Sequence, residues 1–276
     1  MNLITILGAS GFIGSALARK LTGMGLTCLT PDRKQKLTGA NLGDIIYCVG
    51  LTADFRSRPF DTVEAHVSHL VHVLRDCDFQ SLVYLSSTRI YRNQTGLASE
   101  DDVLSVDPSR HDDLYSISKL MGESVALSSG RKVRIVRLSN VCGPDFTSEN
   151  FLSLMLRDAV SKKQVTVRTS PDSEKDYISI DDVVEGLIKI TREGKHDIYN
   201  LATGVNVSNH QLTQRLSELT NCQITFDSTM ARQSFPRIRI DRMRAEFGFQ
   251  PSSILDELGM VVESYKARYQ NERRPE

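Results

Sequence analysis

Tyr115 and Lys119 stand four residues apart in the segment Tyr115-Ser116-Ile117-Ser118-Lys119. On a helix that spacing stacks a phenol and an ammonium on one face, about 6 Å apart along the axis. A free phenol has a pKa of about 10, so it is a poor acid–base catalyst at neutral pH until a nearby cation favours its ionised form. Lys119 is the cation this spacing offers. The oxygen that gains or loses the proton also needs a hydrogen-bonding partner, and the run 81–88, SLVYLSST, ends in hydroxyls that include Ser87. Proton exchange with an alcohol or a ketone is the chemistry open to such a trio. A chance surface pair is the plain alternative for Tyr115 and Lys119 taken alone.

Such an exchange needs a hydride partner, and residues 3–14, LITILGASGFIG, point to one. A short β-branched run leads into Gly8, Gly11 and Gly14, and good helix formers continue from Ser15 to Leu21. Strand, glycine turn and helix in this order present bare backbone N–H groups and a helix N-terminus to a dinucleotide pyrophosphate. Phe12 and Ile13 lie in the first turn of that helix. The spacing is GxxGxxG, not GxGxxG, so the next strand and its last residue carry weight. Residues 25–32 read as that strand and end in Asp32, 18 residues after Gly14, near the roughly 20 expected of an acid that holds ribose hydroxyls. Arg33 and Lys34 then read either as a solvated turn or as partners of a 2′-phosphate, which leaves NAD expected and NADP open.

Bulk numbers agree with a small-molecule enzyme. The 276 residues are 40% hydrophobic, and 34 basic side chains balance 34 acidic ones. No nucleic-acid footprint or anionic-membrane surface is indicated. Five scattered cysteines without a CxxC pair read as reduced thiols, mostly buried. With no apolar run near 18 residues and no leader-like start, a cytoplasmic protein is expected.

Periodicity gives the elements that must position these groups. Residues 44–50 read as a strand that delivers Val49, Gly50 and Leu51 beside the cofactor, and the short stretch before it implies a trimmed sheet edge. A helix over 60–77 shows Val63, Val67, Leu70, Val71 and Leu74 on one side. Its His66, His69 and His72 drift off one face, lack a completing acid or cysteine, and read as surface or interface residues. No metal site is expected. The polar stretch 92–113 reads as a loop over the ligand, and a helix from Asp112–Asp113 to about Ser128 carries Tyr115 and Lys119.

GASGFIG at 8–14, SSTRIY at 86–91 and YSISK at 115–119 together resemble the extended short-chain dehydrogenase/reductases, specifically the NAD-dependent epimerase/dehydratase group acting on nucleotide sugars. Residues 137–144 (RLSNVCGP) are similar to that group's RxxNVYGP segment, and 176–183 (DYISIDDV) to its DYIHVDDV. The resemblance implies a Rossmann-like doubly wound parallel α/β sheet over 1–144 and about 176–204. A small C-terminal substrate-binding lobe is implied at 145–175 and 205–276. It also implies catalysis by Ser87, Tyr115 and Lys119, with Lys119 on the nicotinamide ribose and a homodimer built on the helices at about 60–77 and 113–128.

Substrate contacts are implied at Ser87, Thr88, Arg89, Asn140 and Arg232, with Arg237 or Arg239 as substitutes for Arg232. The family's 4,6-dehydratases place Asp-Glu after the catalytic hydroxyl, whereas this chain has Thr88-Arg89. Its 3,5-epimerase-reductases use Cys where Arg89 stands and His where Asp145 stands. Both chemistries are disfavoured, which leaves 4-epimerisation or keto reduction. A non-catalytic dinucleotide-sensing module is the reading from another class, and it has no need of the Ser–Tyr–Lys set.

Overall fold

A computed structural model of the chain describes residues 3–227 and 232–272. In its first half β1 (Ile4–Leu7), α1 (Phe12–Gly23), β2 (Cys28–Leu29) and β3 (Asp44–Tyr47) lead to α2 (Pro59–Val63). A π turn (Glu64–Ser68) carries α2 directly into α3 (His69–Asp76). Then come β4 (Ser81–Ser87), a 3₁₀ turn (Thr88–Tyr91), β5 (Leu97–Ala98), α4 (Leu114–Ser128), β6 (Val133–Leu138) and β7 (Asn140–Cys142). The second half contributes α5 (Phe151–Ser161), β8 (Gln164–Val167), β9 (Glu174–Ser179), α6 (Ile180–Glu193), β10 (Ile198–Leu201) and β11 (Asn206–Ser208). It ends with α7 (Asn209–Thr220), β12 (Gln223–Phe226), β13 (Arg237–Ile238), α8 (Asp241–Phe247) and α9 (Ile254–Glu272).

Six strands form the central parallel sheet in the order β10-β6-β4-β3-β1-β2. The chain moves outward from β1 to β2 and then returns to β1's other side as β3. That reversal opens a crevice at the carboxyl ends of β1 and β3, the usual ligand position of an open α/β sheet. Helices cover both faces, so β1 and β4 are buried almost throughout. On one face Leu17 and Leu21 of α1 pack with Val183, Leu187 and Ile190 of α6. On the other, Leu70, Val73 and Leu74 of α3 pack with Tyr47, Tyr84 and Ala126.

The sheet edge is trimmed as expected, since β2 pairs with β1 at only two positions. The strand read over 25–32 shortens to Cys28–Leu29, and Pro31, which has no N–H to donate, stands just beyond it. The 92–113 stretch is better anchored than a bare loop. Its Leu97 and Ala98 pair with Arg237 and Ile238, and Glu100 accepts the Asn200 N–H at 2.9 Å.

A second core lies among α5, α7 and α9 with β8, β9 and β12. Leu152, Leu156, Leu212, Leu216, Leu258 and Val262 meet there. Ile238, Ile240, Met243 and Phe249, although late in the chain, join the core beside the main sheet. β9 lies between β7 and β11, and its Lys175 and Asp176 sit at the junction of these cores.

Candidate active site

At the end of β1 the backbone turns through Gly8 at φ +86° and is closed by the Gly11 N–H on the Gly8 carbonyl at 3.1 Å. A Cβ on Gly14 would lie 2.3 Å from the Gly8 oxygen, so only glycine lets α1 start this close to the turn. Gly11 is the N-cap of α1 and supplies no side-chain cap. The helix therefore presents the N–H groups of its first turn, at Phe12, Ile13 and Gly14, to whatever anion lies in the crevice. This cradle fits a dinucleotide pyrophosphate.

Asp32 lies beyond β2, where its carboxylate accepts the Lys34 N–H at 2.9 Å. Arg33 is exposed. Across the crevice, β3 runs into Val49, Gly50 and Leu51. A Cβ on Gly50 would stand 3.5 Å from both the Lys119 Nζ and the His66 Nε2, so the cofactor side of this turn meets the catalytic helix directly.

β4 delivers Ser87 at its carboxyl end, where the Ser87 Oγ accepts the Arg89 N–H at 3.2 Å. Tyr115, one residue into α4, is buried, and the Ser87 hydroxyl is near enough to lower its pKa. Burial raises the Tyr115 pKa, while the Ser87 hydroxyl and the charge of Arg89 lower it. Lys119, expected to supply the offsetting charge, lies four residues on in the same helix. The Lys119 Nζ is turned onto the Leu85 carbonyl at 2.8 Å and lies 5.0 Å from the Tyr84 ring centroid. Burial pushes the Lys119 pKa down to about 7.

His66 corrects an expectation, because it is wholly buried and not a surface residue. Its Nε2 accepts the Leu51 N–H at 3.2 Å, and its ring stands edge-on to Tyr115 with centroids 5.3 Å apart. The Ser118 hydroxyl donates to the Tyr115 carbonyl at 2.9 Å, so the 2.9 Å contact between the His66 Nδ1 and the Ser118 Oγ has the imidazole as donor. Burial first, and then the Lys119 charge, push the His66 pKa down to about 2, so the ring is neutral in this tautomer. The π turn at 64–68 adds a residue to the helical turn and swings His66 inward. Sequence held one signal, since Leu70, Val73 and Leu74 lie four, seven and eight residues on and share its buried face. Val63 and Val71, expected on that face, are not buried with it.

Phe55 also escaped sequence reading. It is buried on the loop after β3, with its ring centroid 5.5 Å from that of Tyr115. Of the residues expected to meet substrate, Thr88 is buried beside Ser87, and the Arg89 guanidinium carbon stands 5.8 Å from the Tyr115 ring centroid. Asn140 is exposed and donates its amide N–H to the Asp176 carbonyl at 2.8 Å. Arg232 is exposed and lies 3.6 Å from Glu174. Its two substitutes are also engaged, Arg237 on the Gly204 carbonyl at 3.4 Å and Arg239 on Asp241 at 3.4 Å.

The sequence profile of the NAD dependent epimerase/dehydratase family matches residues 4–202. The chain belongs to that family. Its membership spans the glycine turn, the Ser–Tyr–Lys set and the whole parallel sheet. The dTDP-4-dehydro-6-deoxy-D-allose reductase of Streptomyces bikiniensis is 24% identical over 74% of this chain and 77% of its own length. Two solved structures share the fold. The UDP-glucose 4-epimerase of Thermotoga maritima, solved with UDP-glucose, superposes with a TM-score of 0.82 at 17% identity, covering 97% of this chain and 99% of that one. The dTDP-glucose 4,6-dehydratase of Streptomyces venezuelae, solved with NAD, gives 0.81 at 18% identity over 97% and 98%. No helix of the described residues is long and apolar enough to cross a membrane.

Proposed function

We propose that the protein is an NAD-dependent nucleotide-sugar epimerase that works through a transient 4-keto sugar. The observation that carries this reading is the pairing of the Ser87 hydroxyl at the carboxyl end of β4 with the buried Tyr115 phenol, on a parallel sheet whose first strand ends in a glycine turn without a side-chain cap. Bound NAD supplies a hydride acceptor that can also return the hydride. Tyr115 takes the proton of the sugar hydroxyl at its phenolic oxygen and gives it back after the ring has turned over. Ser87 holds the same sugar oxygen, and Lys119 binds the nicotinamide ribose. The N–H groups at Gly11–Gly14 hold the pyrophosphate and Asp32 the adenosine ribose, while Val49–Leu51 wall the site. Arg33 keeps NADP as the alternative cofactor. Thr88 and Arg89 come directly after the catalytic hydroxyl, so the site has no acid there to protonate a leaving 6-hydroxyl.

The lobe of 145–175 and 205–276 closes over the nucleotide, with Asn140 and Arg232 as diphosphate contacts, in a cytoplasmic homodimer. A keto-sugar reductase of the same family is the second reading, favoured by the reductase relative from Streptomyces bikiniensis. Incubating the protein with a panel of nucleotide sugars and catalytic NAD separates the two. An isomeric product without net cofactor reduction supports the epimerase, and a keto sugar formed one for one with reduced NAD, the reductase reaction run in reverse, supports the reductase. Tyr115→Phe should lower turnover by about 10²–10⁴-fold while leaving cofactor affinity within about threefold. Loss of both would contradict the role given to Tyr115.

A further inference from the structure

Arg56, Arg89 and Arg92 act on one another beside Tyr115, and Arg89 makes no ion pair among the described residues. Arg56 pairs with Asp112 at 2.6 Å, and Arg92 with the buried Asp113 at 3.3 Å. The Arg89 guanidinium has neither a hydrogen bond nor an ion pair among the described residues, and its Nε is buried without a partner. It is wedged between aromatic faces, its guanidinium carbon 5.1 Å from the Phe55 ring centroid and 5.8 Å from that of Tyr115. Burial and the charges of Arg92 and Arg56 pull its pKa below the ordinary arginine value.

Lys175, on β9, feels the same charge. Its pKa is lowered by burial and then by Arg89, and its Nζ lies 5.3 Å from the Phe151 ring centroid and 5.6 Å from that of Phe235 with no ion pair among the described residues. Arg89 and Lys175, each part-buried against aromatic rings and in no ion pair among the described residues, repel one another, and an anionic group would relieve both. The planar guanidinium fork matches a carboxylate in a bidentate way.

Position decides which part of a substrate carries that anion. Arg89 comes two residues after Ser87 in a 3₁₀ turn, a rise of only about 4 Å. Its guanidinium also overlies the ring of Tyr115, the proton-exchanging residue. The anion it receives is therefore attached next to the reacting carbon, not across the sugar ring where the diphosphate is carried. We infer that Arg89, with Lys175 behind it, is the receptor for a carboxylate on the sugar ring, so that the preferred substrate is a nucleotide-linked uronic acid. This rests on the nucleotide-sugar reading proposed above and narrows it.

The test is calorimetric titration of the full-length Tyr115→Phe protein with NAD present, so that binding is read without turnover. The probes are UDP, UDP-glucose and UDP-glucuronate, with the corresponding thymidine compounds in parallel. The uronate should bind about 30-fold more tightly than the hexose carrying the same nucleotide. Adding Arg89→Gln should collapse that ratio to about threefold or less, and Arg89→Lys should leave an intermediate ratio. Thermal melts of each variant show that it is folded. A hexose that binds as tightly as its uronate, or a ratio that Arg89→Gln leaves unchanged, overturns the carboxylate assignment while the nucleotide-sugar reading stands. If uronate and hexose both bind no better than the free nucleotide, the sugar reading fails and this inference falls with it.

Discussion

Tyr115 and His66 depend on one another through a short chain of hydrogen bonds. The imidazole receives the Leu51 N–H and gives its own proton to Ser118, whose hydroxyl closes on the Tyr115 carbonyl. Replacing His66 by Phe keeps a ring in the space but leaves the Leu51 N–H and the Ser118 oxygen without their partner. The expected loss is about 2–4 kcal/mol of stability, read from the shift in urea midpoint. A change below about 0.5 kcal/mol would contradict the role given to the imidazole.

Lys119 gives a pH signature whose direction is fixed by its lowered pKa. Between about 7 and the unfolded value near 10.5 the unfolded chain holds the proton and the folded chain does not, so this residue makes stability rise with pH. Below that window both states are protonated and the contribution levels off. Against Lys119→Met, the cofactor-free protein should gain up to about 1.4 kcal/mol of relative stability per pH unit between about pH 7 and 9.5. A flat difference across that window would contradict the burial of a titrating ammonium.

The glycine turn and α1 were legible in sequence because each requirement is local. Gly8 needs positive φ, Gly14 needs the space a Cβ would take, and the strand before them is continuous apolar chain. Gly14→Ala should therefore weaken cofactor binding by about 100-fold or more, measured by fluorescence titration, since a methyl group would press on the Gly8 carbonyl and move the turn. Binding within about threefold of the parent would contradict the cradle. The α2–α3 helix was legible as a helix but not in its phase. The π turn interrupts the α-helical register at Glu64–Ser68, and His66 within it lies in the core and not at the expected surface position. Nothing local to Glu64–Ser68 announces that turn, because its inward histidine is satisfied by Leu51 and Ser118, both distant in sequence. Arg89 was legible as a position, while its lack of an ion pair became visible only once Asp112 and Asp113 were seen to be taken by Arg56 and Arg92.

Two cores, one around the central sheet and one among α5, α7 and α9, meet along β9 and leave the catalytic crevice near their junction. The doubly wound parallel sheet and its trimmed edge were readable in sequence, the strand order was not. Side-chain roles in the second half were less readable, because Arg232, Arg237 and Arg239 are equivalent in sequence and differ only in the acid or carbonyl each one meets. On the outer side of the α2–α3 and α4 helices, Phe60 is 89% and Met121 49% exposed. The proposed homodimer covers this surface. Phe60→Asp combined with Met121→Asp should convert a dimer to a monomer in sedimentation velocity, and a parent protein that is already monomeric at micromolar concentration would contradict the proposed assembly.

Reversible hydride transfer at one carbon is the central claim, and isotope tracing addresses it most directly. The substrate found in the panel is prepared with deuterium on the carbon that bears the reacting hydroxyl and is incubated with catalytic NAD. Retention of the deuterium at that carbon in an isomeric product, with no net change in reduced cofactor, is the predicted result. Deuterium lost to solvent, or a product that remains a keto sugar with the label on the cofactor, would contradict it.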